Sequence, residues 1–353
     1  MRANSMPLWK LISWTATAVV VAAAASADQG YEPTDVDDAE AILLDDTPHP
    51  SRRGLPDWFA TSFLDLREDL TEAVDVRRKD GLIVYFHQDD CPYCEAFLKE
   101  NLTRPDVLAY VRAHFDIVAA DVWGSRSITD MAGMELTERE FAVRENLNFT
   151  PSFLIYDASG EEALRLRGYY PPYRFRAALE YVVDGHYKRE SLRRYFERAD
   201  PPPKFDLADL NERTFFSAPP FMLDRTAGQA LRPLAVFFEQ GECHSCDVLH
   251  SEAISGGEVE ALIEQFEVVQ LDMWADTPVI TPDGDRTTAR GWADTLDIAY
   301  RPTIVFFDAT GHEIIRIDSV VRMFRLRGVL RYVLERGYER HSTFFLWRRY
   351  GAR

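Results

Sequence analysis

The sequence predicts an α/β protein of two tandem thiol-bearing units, each a mixed β-sheet flanked by helices. Three observations predict it. The halves repeat one another at an offset of about 151–152 residues. Each half alternates short apolar, strand-like runs with helical stretches. Each carries one Cys-x-x-Cys pair, Cys91/Cys94 and Cys243/Cys246, where such a run gives way to a helix.

The chain opens on an export pattern. Arg2 and Lys10 form a positive start, Leu11 to Ala25 is an apolar run, and Ala25-Ser26-Ala27 fits small-residue cleavage. Residues 1–27 are therefore expected to be a signal peptide cut before Asp28, with an uncleaved anchor as the alternative. Residues 28–56 are acidic and turn-rich (Asp37, Asp38, Asp45, Asp46, Pro48, Pro50) and read as a flexible leader. The formal charge of the 353-residue chain is −18, and −20 without residues 1–27, whose only charges are Arg2 and Lys10. Nucleic acid and anionic membranes would repel such a chain, which excludes them as partner classes.

From Asp57 to Val76, Phe59, Phe63, Leu64, Leu66, Leu70 and Val74 recur at helical spacing. Lys79-Asp80-Gly81 breaks the pattern, and Leu82-Ile83-Val84-Tyr85-Phe86 reads as a buried strand. A helix follows the cysteines, then a second strand from Phe115 to Trp123, a variable helical insert, a hairpin from Ser152 to Leu166 turning at Ala158-Ser159-Gly160, and a last helix. The second half follows the same plan, with a strand from Phe266 to Trp274 and a hairpin from Thr303 to Ile317 turning at Ala309-Thr310-Gly311.

The repeat is dense. Phe86 to Cys91 matches Phe238 to Cys243, and Asp121 and Trp123 match Asp272 and Trp274. Pro151, Asp157, Gly160 and Arg165 match Pro302, Asp308, Gly311 and Arg316. In the last helix Arg174, Arg176, Leu179 and Tyr181 match Arg325, Arg327, Leu330 and Tyr332. A duplication explains this, with unit one at 57–200, a Pro-rich connector at 201–204 and unit two at 205–353.

The chain's four cysteines lie in two close pairs. A bridge this short removes little chain entropy, so the pairs are poor staples and point to redox chemistry or metal binding. Disulfide exchange needs an accessible thiolate and a second thiol to resolve the mixed disulfide. A helix start lowers a thiol pKa through its free N–H groups and dipole. On this geometry Cys91 and Cys243 are the nucleophiles and Cys94 and Cys246 the resolving thiols. Zinc is the rival, but each pair has a whole unit around it. No phosphate loop and no nicotinamide or flavin fingerprint is present, so no cofactor is expected and electrons must come from another protein.

Strand, Cys-x-x-Cys, helix and a later proline before a hairpin resemble the thioredoxin-like superfamily, over nearly all of residues 57–340. Within it the chain is most similar to exported bacterial thioredoxins of the SoxW and DsbC/DsbG-like type, in which Cys-Pro-Tyr-Cys is common. The resemblance implies that Pro151 and Pro302 are cis, pack on the active-site disulfides and help bind a substrate strand. It also implies a periplasmic thiol:disulfide oxidoreductase for protein disulfides, biased to reduction or isomerisation, with a membrane thiol transporter of the DsbD/CcdA kind as reductant. The alternatives are a thiol-gated binding module or chaperone without turnover, and a disulfide-donating oxidase.

Departures are informative. Thioredoxin's buried aspartate, six residues before the first cysteine, is replaced by Tyr85 and Phe237. Arg301 precedes the second proline, where unit one has Thr150, and beside Cys243 its charge would favour the thiolate. Ser319 stands where unit one has Gly168, which would narrow the second groove. His87 and His244 lie near the cysteines, and Asp90 and Glu242 read as solvated helix-entry acids. Trp123 and Trp274 read as packing residues, and Arg174, Arg176, Arg325 and Arg327 as solvated helix faces.

Overall fold

The computed structural model describes Asp46 and residues 54–60, 62–199 and 210–352. The expected signal peptide, nearly all of the leader and the connector 201–204 lie outside the described residues. The described residues form one compact unit holding both repeats. Among the described residues no helix is long and apolar enough to cross a membrane.

In repeat one, β1 (Gly81–His87) is central. It pairs in parallel with β2 (Phe115–Asp121) and antiparallel with β5 (Ser152–Asp157), which pairs with β6 (Glu162–Arg167), giving the order β2-β1-β5-β6. β1 is apolar from Gly81 to Phe86, as suits a strand covered on both faces. Ile83 and Tyr85 enter one core layer, and Leu82, Val84 and Phe86 the other. Each such buried side chain contributes about 1.5–3 kcal/mol. Repeat two copies the plan, with β8 (Leu234–Glu239), β9 (Glu267–Asp272), β12 (Thr303–Phe307) and β13 (Glu313–Ile317) in the order β9-β8-β12-β13.

The hairpins turn where the sequence places them. Asp157 accepts from Ser159 N at 2.8 Å and Ser159 Oγ at 2.6 Å, and Gly160 follows at φ +86°. Asp308 does the same with Thr310 before Gly311 at φ +95°. β2 and β9 stop at Asp121 and Asp272, two residues short of the expected ends. Each aspartate turns the chain by accepting from the N–H of Trp123 or Trp274, at 2.9 and 2.8 Å.

Three expectations need correcting. The first helix starts later than expected, as α1 (Leu66–Thr71) capped by Asp65 and continued by a wider turn, Glu72–Val76. The insert is not wholly helical. It holds a short hairpin, β3 (Ser127–Thr129) with β4 (Glu135–Thr137), before α4 (Glu138–Arg144), which opens on a Thr137/Glu140 capping box. Repeat two has no leading helix among the described residues. Its segment carries Pro219, Pro220 and Pro233, and instead lays β7 (Phe221–Met222) beside β10 (Pro278–Ile280), which pairs with β11 (Arg286–Thr288).

The two cores interlock. Tyr300 and Val320 join the core of repeat one, and Phe149 joins that of repeat two. Each repeat's last helix reaches the strand-end tryptophan of the other. From α6 (Leu192–Ala199), Arg193 lies over Trp274 at 4.2 Å and donates to the carbonyls of Ile298 and Met273, both at 2.8 Å. From α11 (Phe344–Tyr350), Phe345 packs edge-on to Trp123 at 5.0 Å and Arg349 covers it at 4.4 Å. The tryptophans therefore serve as docking points, each fixed by its indole N–H donating to Gln88 or Gln240 at 2.8 Å.

Candidate active site

β1 ends at His87, and the turn through Asp90, at φ +55°, delivers Cys91 to the start of α2 (Pro92–Ala96). Cys91 is the N-cap. Its sulfur accepts from the N–H of Cys94 at 3.0 Å, and Pro92 needs no partner for its nitrogen in the first turn. Cys243 stands likewise before α7 (His244–Val248), with Cys246 N at 3.2 Å from its sulfur and Glu242 at φ +47° before it. Asp90 and Glu242 are exposed, as expected of helix-entry acids. Both pairs are closed as disulfides, with Cα atoms 5.2 Å apart in each.

The later prolines arrive from the start of β5 and β12. Both Thr150–Pro151 and Arg301–Pro302 are cis. Thr150 is placed against the first pair, its hydroxyl 3.3 Å and its carbonyl 3.6 Å from the Cys91 sulfur. In repeat two the Arg301 carbonyl accepts from Ser245 Oγ at 3.0 Å, and that hydroxyl lies 3.5 Å from the Cys243 sulfur. The Arg301 backbone thus reaches the motif.

A family model described as "Thioredoxin-like domain" matches residues 66–183 and again 222–334. The chain belongs to the thioredoxin-like domain family. No curated protein matches it. Among solved structures, it is similar to a thioredoxin-fold protein from Helicobacter pylori, at 24% identity over 38% of this chain and 83% of that one, with a TM-score of 0.33. A thioredoxin from Thermus thermophilus matches at 27% identity, over 34% of this chain and 84% of that one, TM-score 0.27. A disulphide isomerase from Xylella fastidiosa Temecula1 matches at 16% identity, over 38% and 88%, TM-score 0.21. Each thioredoxin-like repeat here carries its own Cys-x-x-Cys pair.

The two thioredoxin-like sites differ beneath the cysteines. Burial drives the Tyr85 hydroxyl far above its usual pKa, so it stays neutral. Burial also holds His87, stacked on Tyr85, below the usual histidine value. Repeat two buries an acid–histidine pair that the motif residues alone do not announce. Glu239 meets His250 Nε2 at 2.8 Å and accepts from Gln270 at 2.8 Å, and neither Glu239 nor His250 reaches solvent. The signal was present, since His250 lies four residues after Cys246, on the same helical face.

The first site is walled by repeat two. Tyr93, inside the motif, donates to Asp46 at 2.9 Å and accepts from Arg322 N at 3.1 Å. Asp46 also accepts from the N–H groups of Phe324 and Arg325, at the start of α10 (Met323–Leu334). Asp46, expected in a flexible leader, is buried. Arg325, expected on a solvated face, is also buried, because the face it occupies meets the other repeat. Arg327, two residues on, is the partly exposed one and pairs with Glu258. The loops after β6 and β13 meet as well. Val320 N donates to Tyr169 O at 3.1 Å, and Gly168 faces Ser319. Ser319 therefore fills space against repeat one as well as bordering its own groove. Cys91 is 3% and Cys243 5% exposed.

Proposed function

We propose that this chain is an exported, periplasmic thiol:disulfide oxidoreductase that acts on protein disulfides and is biased to reduction or isomerisation. The observation that carries the reading is the N-cap position of Cys91 beside the Thr150–Pro151 segment, with Cys94 one turn along. The positive end of the helix favours a thiolate there. In the reduced chain, the Cys91 thiolate attacks a client disulfide, forming a mixed disulfide and releasing one client sulfur as a thiolate, which takes a proton. The Cys94 thiolate then attacks Cys91, the mixed disulfide breaks, and the client leaves as a dithiol. Two electrons have passed from chain to client, and the chain holds the Cys91–Cys94 disulfide. An external protein dithiol, such as a membrane thiol transporter of the DsbD/CcdA type, returns them.

Cys243 and Cys246 repeat the chemistry or pass electrons to the first pair, and Pro151 and Pro302 shape the client strand's seat. The test is dithiothreitol-driven insulin reduction, with the reduction potential of each pair read by glutathione equilibration. Turnover by the parent chain, lost in Cys91→Ser, with a potential near about −270 mV, supports a reductase. A potential near about −120 mV makes the chain a disulfide donor instead. Absence of turnover from either pair leaves only client binding.

A further inference from the structure

Arg325 comes from repeat two, yet its guanidinium sits in the first redox site. It lies 3.5 Å above the Tyr93 ring and 4.9 Å from that of Phe149. It donates to Thr150 O at 3.0 Å, the carbonyl that lies 3.6 Å from the Cys91 sulfur. Guanidinium and sulfur thus share one carbonyl and cannot be farther apart than those two distances together.

The side chain is buried, and among the described residues no carboxylate forms an ion pair with it. Buried charges are ordinarily paired. The nearest acid, Asp46, is engaged elsewhere, by the Tyr93 hydroxyl and the N–H groups of Phe324 and Arg325. Burial works against the charged form of Arg325, but a guanidinium does not lose its proton in a protein. In the oxidised chain the buried cation therefore feels Asp46 only without a direct ion pair, and a thiolate at Cys91 would add a second anion.

We propose that Arg325 is a positioning residue of the first redox site, a cation lent by repeat two that stabilises the Cys91 thiolate through the shared Thr150 carbonyl. The inference rests on the reading of Cys91 as a nucleophile. The other charged groups around Cys91 are Asp46, Asp90 and Arg348, with Tyr93 neutral beneath Arg325. Asp90 is exposed and opposes the thiolate weakly, Asp46 is buried but its charge is shared among the Tyr93 hydroxyl and two backbone N–H groups, and Arg325 is desolvated and faces the Thr150 carbonyl directly. A groove of about 220 Å³ shares the lining residues Gln88, Asp90, Phe345 and Arg348 with the cavity beside Cys91. Arg174, the counterpart of Arg325, instead lies over Phe196 within its own repeat.

The test uses the full, reduced chain. Iodoacetamide alkylation is followed across pH, peptide by peptide, so that Cys91 and Cys243 are read separately. Arg325→Gln keeps donors for Thr150 O, Arg325→Met keeps the apolar stem, and both lack the charge. A shift common to both belongs to the charge. The Cys91 midpoint is expected to rise by about one unit, which slows its alkylation roughly tenfold at lower pH. Cys243 stays put, and Arg325→Lys keeps the parent midpoint. An unmoved Cys91 midpoint in either uncharged variant overturns the proposal, as does an equal shift at Cys243. If the parent Cys91 already titrates like a free thiol, near about 8.5, and insulin is not reduced, the functional reading itself falls.

Discussion

Gly168 is the sharpest probe of how the repeats meet. Its φ is +96°, where an L side chain is strained, so alanine costs about 1–2 kcal/mol there from backbone alone. An added Cβ would also fall 2.0 Å from Ser319 Oγ and 2.8 Å from Ser319 Cβ, across the junction. Forcing a methyl into filled space costs a further ~1–3 kcal/mol. Gly168→Ala should therefore lose about 2–5 kcal/mol. Ser319→Gly removes the side chain in the way, and its hydroxyl has no partner among the described residues. Alone it should cost no more than about 1 kcal/mol. In the double variant the Ser319 clash is gone, while the backbone strain and a 3.2 Å approach to Arg325 Nη1 remain. The cycle should then show a favourable coupling of about 1–3 kcal/mol. Urea unfolding of the four proteins, followed by tryptophan fluorescence, measures it. Additivity within about 0.5 kcal/mol would refute the facing of these loops.

Other expectations follow from the same contacts. Arg193→Ala should lose about 2–5 kcal/mol by urea titration, because it strips the buried Ile298 and Met273 carbonyls and takes from Asp294 the closer of its two arginines. Phe345→Ala should cost ~3–5 kcal/mol, read the same way, as it empties a socket in the other repeat's core. His250→Ala should destabilise by about 1–3 kcal/mol, since it leaves a buried Glu239 oxygen without the His250 partner. Asp157 carries a pH signature. Burial raises its pKa, but hydrogen bonds from Ser159 and Tyr187 outweigh burial and hold it at about 2. The folded value is depressed, so its stabilisation is complete above about pH 4, the ordinary carboxylate range, and is lost as pH falls toward the folded value. Asp157→Asn should flatten that acid limb by up to ~2 kcal/mol in urea midpoints compared across pH.

What could be read in advance was local or repeated. β1 announces itself as an unbroken apolar run, the hairpin turns by an aspartate and a glycine at the same offset in both halves, and the cysteines by their place between strand and helix. What could not be read depends on partners far away in the chain. Arg325 sits in a helix whose other arginines, such as Arg327 and Arg331, do meet solvent and Glu258. Nothing in its own helical turn says that the surface beneath it is Tyr93 and Phe149. Asp46 lies in a stretch with no periodicity, and its burial follows from the start of a helix 277 residues downstream and the motif tyrosine. The insert hairpin escaped because three-residue strands are too short to show alternation. Glu239 and His250 fall outside the expectation because the resemblance places a buried acid six residues before the cysteine, where Phe237 stands, and Glu239 lies two residues further on.

The crossing of the two terminal helices resembles the joint of an isologous dimer, in which each subunit gives the other the same surface. In a true dimer every substitution is made twice, so neither half can change without the other. A single chain lifts that constraint. Gly168 can face Ser319 rather than its own copy, and one of two matched arginines can turn inward while the other stays home. Tandem duplication thus gave this molecule a freedom that symmetric pairs lack: two sites of common origin able to hold their sulfurs at different readiness.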